Sequence, residues 1–171
     1  MFPVRFESTM RTRTLISLPL LLLAAASPAV GDGSAMQTPD LTGRWVLDVA
    51  RSNFGDAPGP VAQVDEIDQV GSTLTIHRTR NIGEGPVPSR FVYRIGGEPT
   101  RHEVAGQVTM TTTSWDGAVL VLHSVVEMPD AQAEVVDRLA LSPDRALLTI
   151  QRTIRIAGMA EVVQTLIMTR H

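Results

Sequence analysis

From Gly43 to the end of the chain, apolar residues recur at every second position, and the alternating runs are separated by turn-forming residues. That period predicts ten strands: Arg44–Val49, Val61–Gln69, Thr73–Thr79, Arg90–Ile95, Arg101–Val104, Val108–Trp115, Ala118–Glu127, Ala133–Leu141, Ala146–Ile156 and Glu161–Thr169. No apolar repeat of helical spacing exceeds one turn, so no helix is available to cover a sheet. The Arg51–Pro60 and Gly83–Pro88 stretches, rich in Pro and Gly, read as loops. Antiparallel neighbours joined by tight turns must bury their apolar stripes on one another. The expected fold is therefore all-β, an antiparallel barrel of about eight to ten strands that leaves no free edge, with a two-sheet β-sandwich as the alternative.

Two turns are short enough to predict register, which decides the side chains that share a face. A two-residue turn at Asp116-Gly117 puts Trp115 opposite Ala118, Thr113 opposite Leu120, Thr111 opposite Leu122, Thr109 opposite Ser124 and Met110 opposite His123. A turn at Pro143-Asp144 puts Leu141 opposite Ala146, Leu139 opposite Leu148, Asp137 opposite Ile150 and Val135 opposite Arg152. At Gly158 the register stays open, and the last strand buries either Val163, Thr165 and Ile167 or Val162, Gln164, Leu166 and Met168.

The N-terminus has a different pattern. Arg11 and Arg13 precede an apolar run from Leu15 through Ala26, followed by the small residues Ser27, Ala29 and Gly31 around Pro28. This is the layout of a secretory signal, with cleavage expected after Ala29 and Gly31 as the other site. The run is too short to span a bilayer, which needs about 20 residues. Met10 is an alternative start, because Phe2 to Thr9 adds nothing a signal needs. The expected organisation is a signal peptide over 1–29, a flexible linker over 30–40 and a barrel over 41–171, exported to the periplasm or the exterior.

Composition narrows the chemistry. The 171 residues include no cysteine, which excludes disulfides, thiolate metal sites, cysteine nucleophiles and a lipid-modified N-terminal cysteine. All fifteen basic residues are arginine, so lysine catalysis is excluded too. The net charge of −3 becomes −5 without residues 1–29, which carry Arg5, Arg11, Arg13 and Glu7, and this argues against a nucleic-acid partner.

Leu41-Thr42-Gly43-Arg44-Trp45-Val46-Leu47-Asp48 resembles the Gly-x-Trp opening of lipocalin-like (calycin) barrels. Arg51-Ser52-Asn53-Phe54-Gly55 and the hairpin Leu139–Ile150 resemble exported bacterial lipocalin-like proteins of unknown function. The resemblance spans most of Leu41 to His171 and implies a barrel, a small apolar ligand, and a tryptophan packed across the barrel floor under an arginine from the last strand. Gly43, Trp45 and Arg170 match those places. An arginine over an indole face is worth about 0.5–2 kcal/mol.

Arg152 interrupts the apolar series Leu148, Ile150, Ile154, Ile156, and Asp137 interrupts Val135, Leu139, Leu141 on the neighbouring strand. The predicted register makes them diagonal neighbours within reach of an ion pair. Two placements are open: inside the barrel, where Arg152 could grip a carboxylate head group, or outside near a rim, where water makes the charges cheaper to hold. Arg152, Asp137 and Trp115 are the candidate ligand contacts.

Among the histidines, His77 and His102 read as exposed, and His123 as either a partly buried structural residue or a lumen residue. With His171 they form no metal-ligand spacing, and no metal or other cofactor is implied. Asp65 points to one face of its strand and Glu66 and Asp68 to the other, so these three carboxylates make no catalytic pair. No Gly-x-Ser-x-Gly elbow is present.

These readings converge on an exported lipocalin-like barrel that binds a small apolar or amphipathic, carboxylate-bearing molecule. The alternatives are a non-enzymatic interaction module with a solid core and function on its outer loops, and a small barrel enzyme such as an isomerase, cyclase or hydrolase.

Overall fold

The computed structural model describes residues 38–171 apart from Ala105 and Asp130. The expected signal peptide and most of the expected linker lie outside the described residues. Ten strands follow in chain order: β1 Gly43–Leu47, β2 Ala62–Val70, β3 Thr73–Asn81, β4 Pro86–Arg94, β5 Thr100–Val104, β6 Gln107–Asp116, β7 Val119–Glu127, β8 Gln132–Leu141, β9 Leu147–Ile156 and β10 Val162–Arg170. They form one sheet in the order β4-β3-β2-β1-β10-β9-β8-β7-β6-β5, with every neighbouring pair antiparallel.

The sheet curls until its two ends approach, making a nearly closed barrel rather than a sandwich. One seam remains between β4 and β5. Near the base it is held by a bond from the Gly96 N–H to the Thr113 carbonyl at 2.6 Å and by a bridge between Ile95 and Thr113.

Most predicted strands are present, with differences that have local causes. β4 starts at Pro86, inside the stretch expected to be a loop. Pro86 and Pro88 pair with Asn81 and Thr79 of β3, and no strand ladder occupies the other side of β4. A residue without an N–H fits such an edge at little cost.

Both predicted hairpin registers move by two residues. The β6–β7 turn is Gly117-Ala118 rather than Asp116-Gly117, so Asp116 faces Val119, Trp115 faces Leu120, Thr111 faces Ser124 and Thr112 faces His123. Gly117, with φ of 61°, takes the first central position, which in a type II′ turn requires glycine. Between β8 and β9 the loop is Pro143–Ala146, closed by the Ser142 N–H donating to the Leu147 carbonyl at 2.9 Å. Asp144 caps it from within, accepting from the Ser142 hydroxyl at 2.6 Å and the Ala146 N–H at 3.1 Å. Shifts of two preserve the faces, so the predicted inside and outside survive while the pairs change. On β10 the buried set is Gln164, Leu166 and Met168, and Val163 is 56% exposed.

The inward stripes divide the barrel along its axis. The base is apolar and solid: Leu41, Trp45, Leu74, Leu120, Leu148 and Met168 are each fully buried. Each such side chain contributes about 1.5–3 kcal/mol by leaving water. Arg170 lies over Trp45, its guanidinium carbon 4.6 Å from the ring centroid, and the indole N–H donates to the Leu41 carbonyl at 2.9 Å. Gly43 lies beneath them, where an added Cβ would stand 3.6 Å from the Arg170 guanidinium. The three residues that the resemblance assigned to the barrel floor thus meet there.

Candidate functional site

Above the base the inward stripes turn polar. Leu74 and Ile76 of β3 are followed on the same face by Arg78 and Arg80; Leu148 and Ile150 of β9 are followed by Arg152; Leu139 of β8 is preceded by Asp137. Each of these strands runs from an oily base to a charged upper half. Adjacent strands then align the charges. Asp137 and Arg152 sit directly opposite each other, not diagonally, because the β8–β9 loop is longer than predicted.

Arg152 donates from Nε and one terminal nitrogen to the two Asp137 oxygens at 2.7 and 2.8 Å. The pair occupies the inner face, in a cross-strand row with Thr113, Leu122 and Gln164. This overturns the placement outside near a rim: the desolvation cost is offset by the forked geometry and by the water that still reaches the pair.

Across the barrel, β2 and β3 build a second pair. Arg78 donates to both oxygens of Asp65 at 2.9 and 2.7 Å, and the Gln63 amide donates to the same carboxylate at 3.1 and 3.2 Å. Asp65 is 1% exposed, the most deeply buried charge among the described residues. The charges of Asp137 and Arg152 are felt at Arg78, Arg80 and Tyr93, so the two walls form one electrostatic cluster. Burial opposes the charge on Arg78, but the Asp65 carboxylate outweighs it and raises the Arg78 pKa. For Arg152 the attraction of Asp137 dominates, again upward. Tyr93, buried beside the cluster, is pushed up to about 12 by burial.

Arg80 is different. Its Nε is buried and has no hydrogen-bond partner, and its guanidinium makes no ion pair among the described residues. Burial first, then the positive charges of Arg152 and Arg78, lower its pKa from the ordinary arginine value. Three arginines therefore face two aspartates, and one cation is left without a counter-ion.

Water reaches this upper half. The inward side chains of Arg78, Asp137 and Arg152 keep 19%, 17% and 14% of their exposure, whereas the residues of the base keep almost none. Phe91, Val135 and Ile154, on the same inner face, are also only partly buried. Phe54, from the loop between β1 and β2, packs on the core, held where its carbonyl accepts from the Gln164 amide at 3.1 Å. Gly59 lies against the Phe54 ring so closely that any side chain there would overlap it.

Of the candidate ligand contacts, Arg152 and Asp137 come together in the upper half. Trp115 lies one row nearer the base, beside Leu120 and packed against the core. His77 is exposed as expected. His123 points outward rather than into the barrel and bonds Glu134 at 2.7 Å. His102, expected at the surface, points inward, its ring edge-on to Phe91 and Tyr93. Sequence reasoning missed Arg78 and Arg80 as functional residues, although the series Leu74, Ile76, Arg78, Arg80 carries the same signal that singled out Arg152.

Two solvent-open grooves mark the outer wall. One of about 450 Å³ crosses β2 to β4 near Glu66, His77 and Arg90, and one of about 430 Å³ lies over β7 to β9 near His123, Glu134 and Arg155. Inside the barrel, the Thr111 and Ser124 hydroxyls bond each other at 2.9 Å, which occupies one with the other.

No family model and no curated protein matches the chain. Solved structures do. A secretory abundant heat soluble protein from Ramazzottius varieornatus superposes with a TM-score of 0.55 at 13% identity, covering 78% of this chain and 98% of that one. Human cRBP IV gives 0.54 at 17% identity, covering 78% and 99%. Secretory abundant heat soluble protein 4 from R. varieornatus gives 0.50 at 9% identity, covering 78% and 97%. These are calycin barrels, and at such identities the likeness shows a shared fold.

Proposed function

We propose that this is an exported protein that holds a small amphipathic molecule in the upper half of its barrel, with Arg80 as the contact for an anionic head group. The observation that carries the reading is the buried, unpartnered Nε of Arg80 beside two arginines already neutralised by aspartate. A half-buried cation with an unsatisfied N–H and no counter-ion is costly, and an oxyanion arriving from solvent relieves that cost. Arg152 then acts as part of the wall, since Asp137 takes its fork, and the head-group role predicted for Arg152 moves to Arg80. Phe91, Ile154 and Val135 offer apolar surface to the rest of the ligand. The calycin fold supports the interior as the place of binding.

The test is displacement of a fluorescent probe by dodecanoate, dodecyl phosphate and dodecanol. A charge-assisted contact is worth about 1.5–3 kcal/mol, so both anions should bind at least about tenfold more tightly than the alcohol. Arg80→Gln should remove that difference while leaving dodecanol unchanged. Equal affinity of all three in the wild type would overturn the reading.

The solid base and the two outer grooves favour a second reading, an interaction module that acts through its outer wall. It predicts no binding of any of the three probes.

A further inference from the structure

His102 occupies the one place where the described barrel wall is not closed by backbone. No ladder joins β4 to β5, the two ends of the sheet. Above the Gly96–Thr113 bond, the seam is spanned by the His102 side chain. Its Nε2 lies 3.0 Å from the Val92 nitrogen and 3.1 Å from the Val92 carbonyl oxygen. A single ring nitrogen thus stands where a partner strand would present its backbone. Phe91 and Tyr93 stack nearly parallel, 6.1 Å apart, and the imidazole meets both edge-on at 5.4 and 4.8 Å. The other ring nitrogen, Nδ1, is buried with no partner.

We propose that His102 is a proton-operated latch on this seam: the neutral ring ties β5 to β4, and protonation releases it and opens a lateral route into the barrel.

The chemistry follows from the two nitrogens. A neutral imidazole can either accept the Val92 N–H or donate to the Val92 carbonyl through Nε2, and in the second tautomer the free Nδ1 carries only a lone pair. A proton arriving from solvent makes both nitrogens donors. From the tautomer in which Nε2 donates to the Val92 carbonyl, the new N–H at Nδ1 sits buried among aromatic rings without an acceptor; from the other, Nε2 can no longer accept from Val92.

The surrounding charges do not rescue the cation. On β4 the facing titratable group is the Tyr93 phenol, and the Arg78 guanidinium lies over the far ring, 5.6 Å from the Phe91 centroid. On β5 itself, Arg101 and Glu103 are exposed and paired with each other at 3.1 Å. On β6 the opposite residue is Thr109. Burial accordingly lowers the His102 pKa, outweighing the Val92 carbonyl, which raises it. The sign follows: with the closed-state pKa below that of the open state, the closed seam is favoured at neutral pH and loses stability as pH falls below about 6.5.

Amide hydrogen exchange on the full chain tests this without any ligand. After correction for intrinsic rates, protection of the Val92 amide, which faces the seam, should fall several-fold between about pH 7.5 and about pH 5, while the Phe91 and Tyr93 amides, which point to β3, and those in the β7–β8 ladder hold theirs. His102→Gln keeps a hydrogen-bonding side chain without a titrating group, and its seam should show no such pH dependence. A flat profile in the wild type, or the same slope in His102→Gln, overturns the latch. Should the variant fail to fold, the wild-type ring decides: its nitrogen chemical shifts must titrate in step with seam protection, and titration of one without the other overturns the latch as well.

Discussion

Asp65 and Asp137 each hold an arginine by a two-pronged grip from the adjacent strand, yet Asp65 is 1% exposed while the Asp137 side chain keeps 17%. The two pairs stand on facing walls of the barrel and differ at the carboxylate, sealed in one and wet in the other. That difference has a measurable consequence. Arg78→Met leaves the Asp65 carboxylate where water does not reach it, and urea unfolding should show a loss of about 3–5 kcal/mol. Arg152→Met leaves the Asp137 carboxylate where water can solvate it, and the loss should be smaller. Equal losses would mean that the upper half of the barrel is as dry as its base.

Arg170 closes the base by covering Trp45. Arg170→Ala should cost about 0.5–2 kcal/mol and shift tryptophan emission to the red as water gains the indole face. The far side of the barrel should be untouched, so affinity for an anionic probe should stay at the wild-type value.

Tyr93 is the single tyrosine of the chain, which makes its titration readable by ultraviolet absorbance. Burial holds its folded-state pKa at about 12, against about 10 in an unfolded chain. A raised pKa favours the protonated fold: the contribution is complete below about pH 10 and is lost as the pH climbs through about 12. Stability should therefore decline across that interval, and Tyr93→Phe should flatten the decline. A phenol titrating near 10 in the folded protein would show that water, not protein, surrounds it.

The fold was legible because alternation is a strong signal in a chain with no competing helical period. The floor was legible because Gly43, Trp45 and Arg170 form a motif with a physical role. Register was not, since the sequence of a hairpin does not say which residue takes the left-handed corner: Gly117 begins its turn where the reading had it end, and Asp144 sits in a four-residue loop instead of a two-residue one. That shift turned Asp137 and Arg152 from diagonal neighbours into partners. Their placement inside depended on which stripe the closed sheet turns inward, a tertiary property. His102 was hidden for the same reason, because nothing in its own strand reveals that the wall beside it lacks a ladder. Arg80 was within reach, since an arginine at the end of an apolar stripe carries the same meaning on β3 as on β9.

The claim on which the rest depends is that Arg80 awaits an oxyanion inside the barrel. A crystal structure of the protein with dodecanoate tests it most directly. The account predicts the carboxylate within about 3 Å of the Arg80 guanidinium, with the Asp65–Arg78 and Asp137–Arg152 pairs intact. A carboxylate held by Arg152 in place of Asp137, or dodecanoate found only on the outer wall, would contradict it.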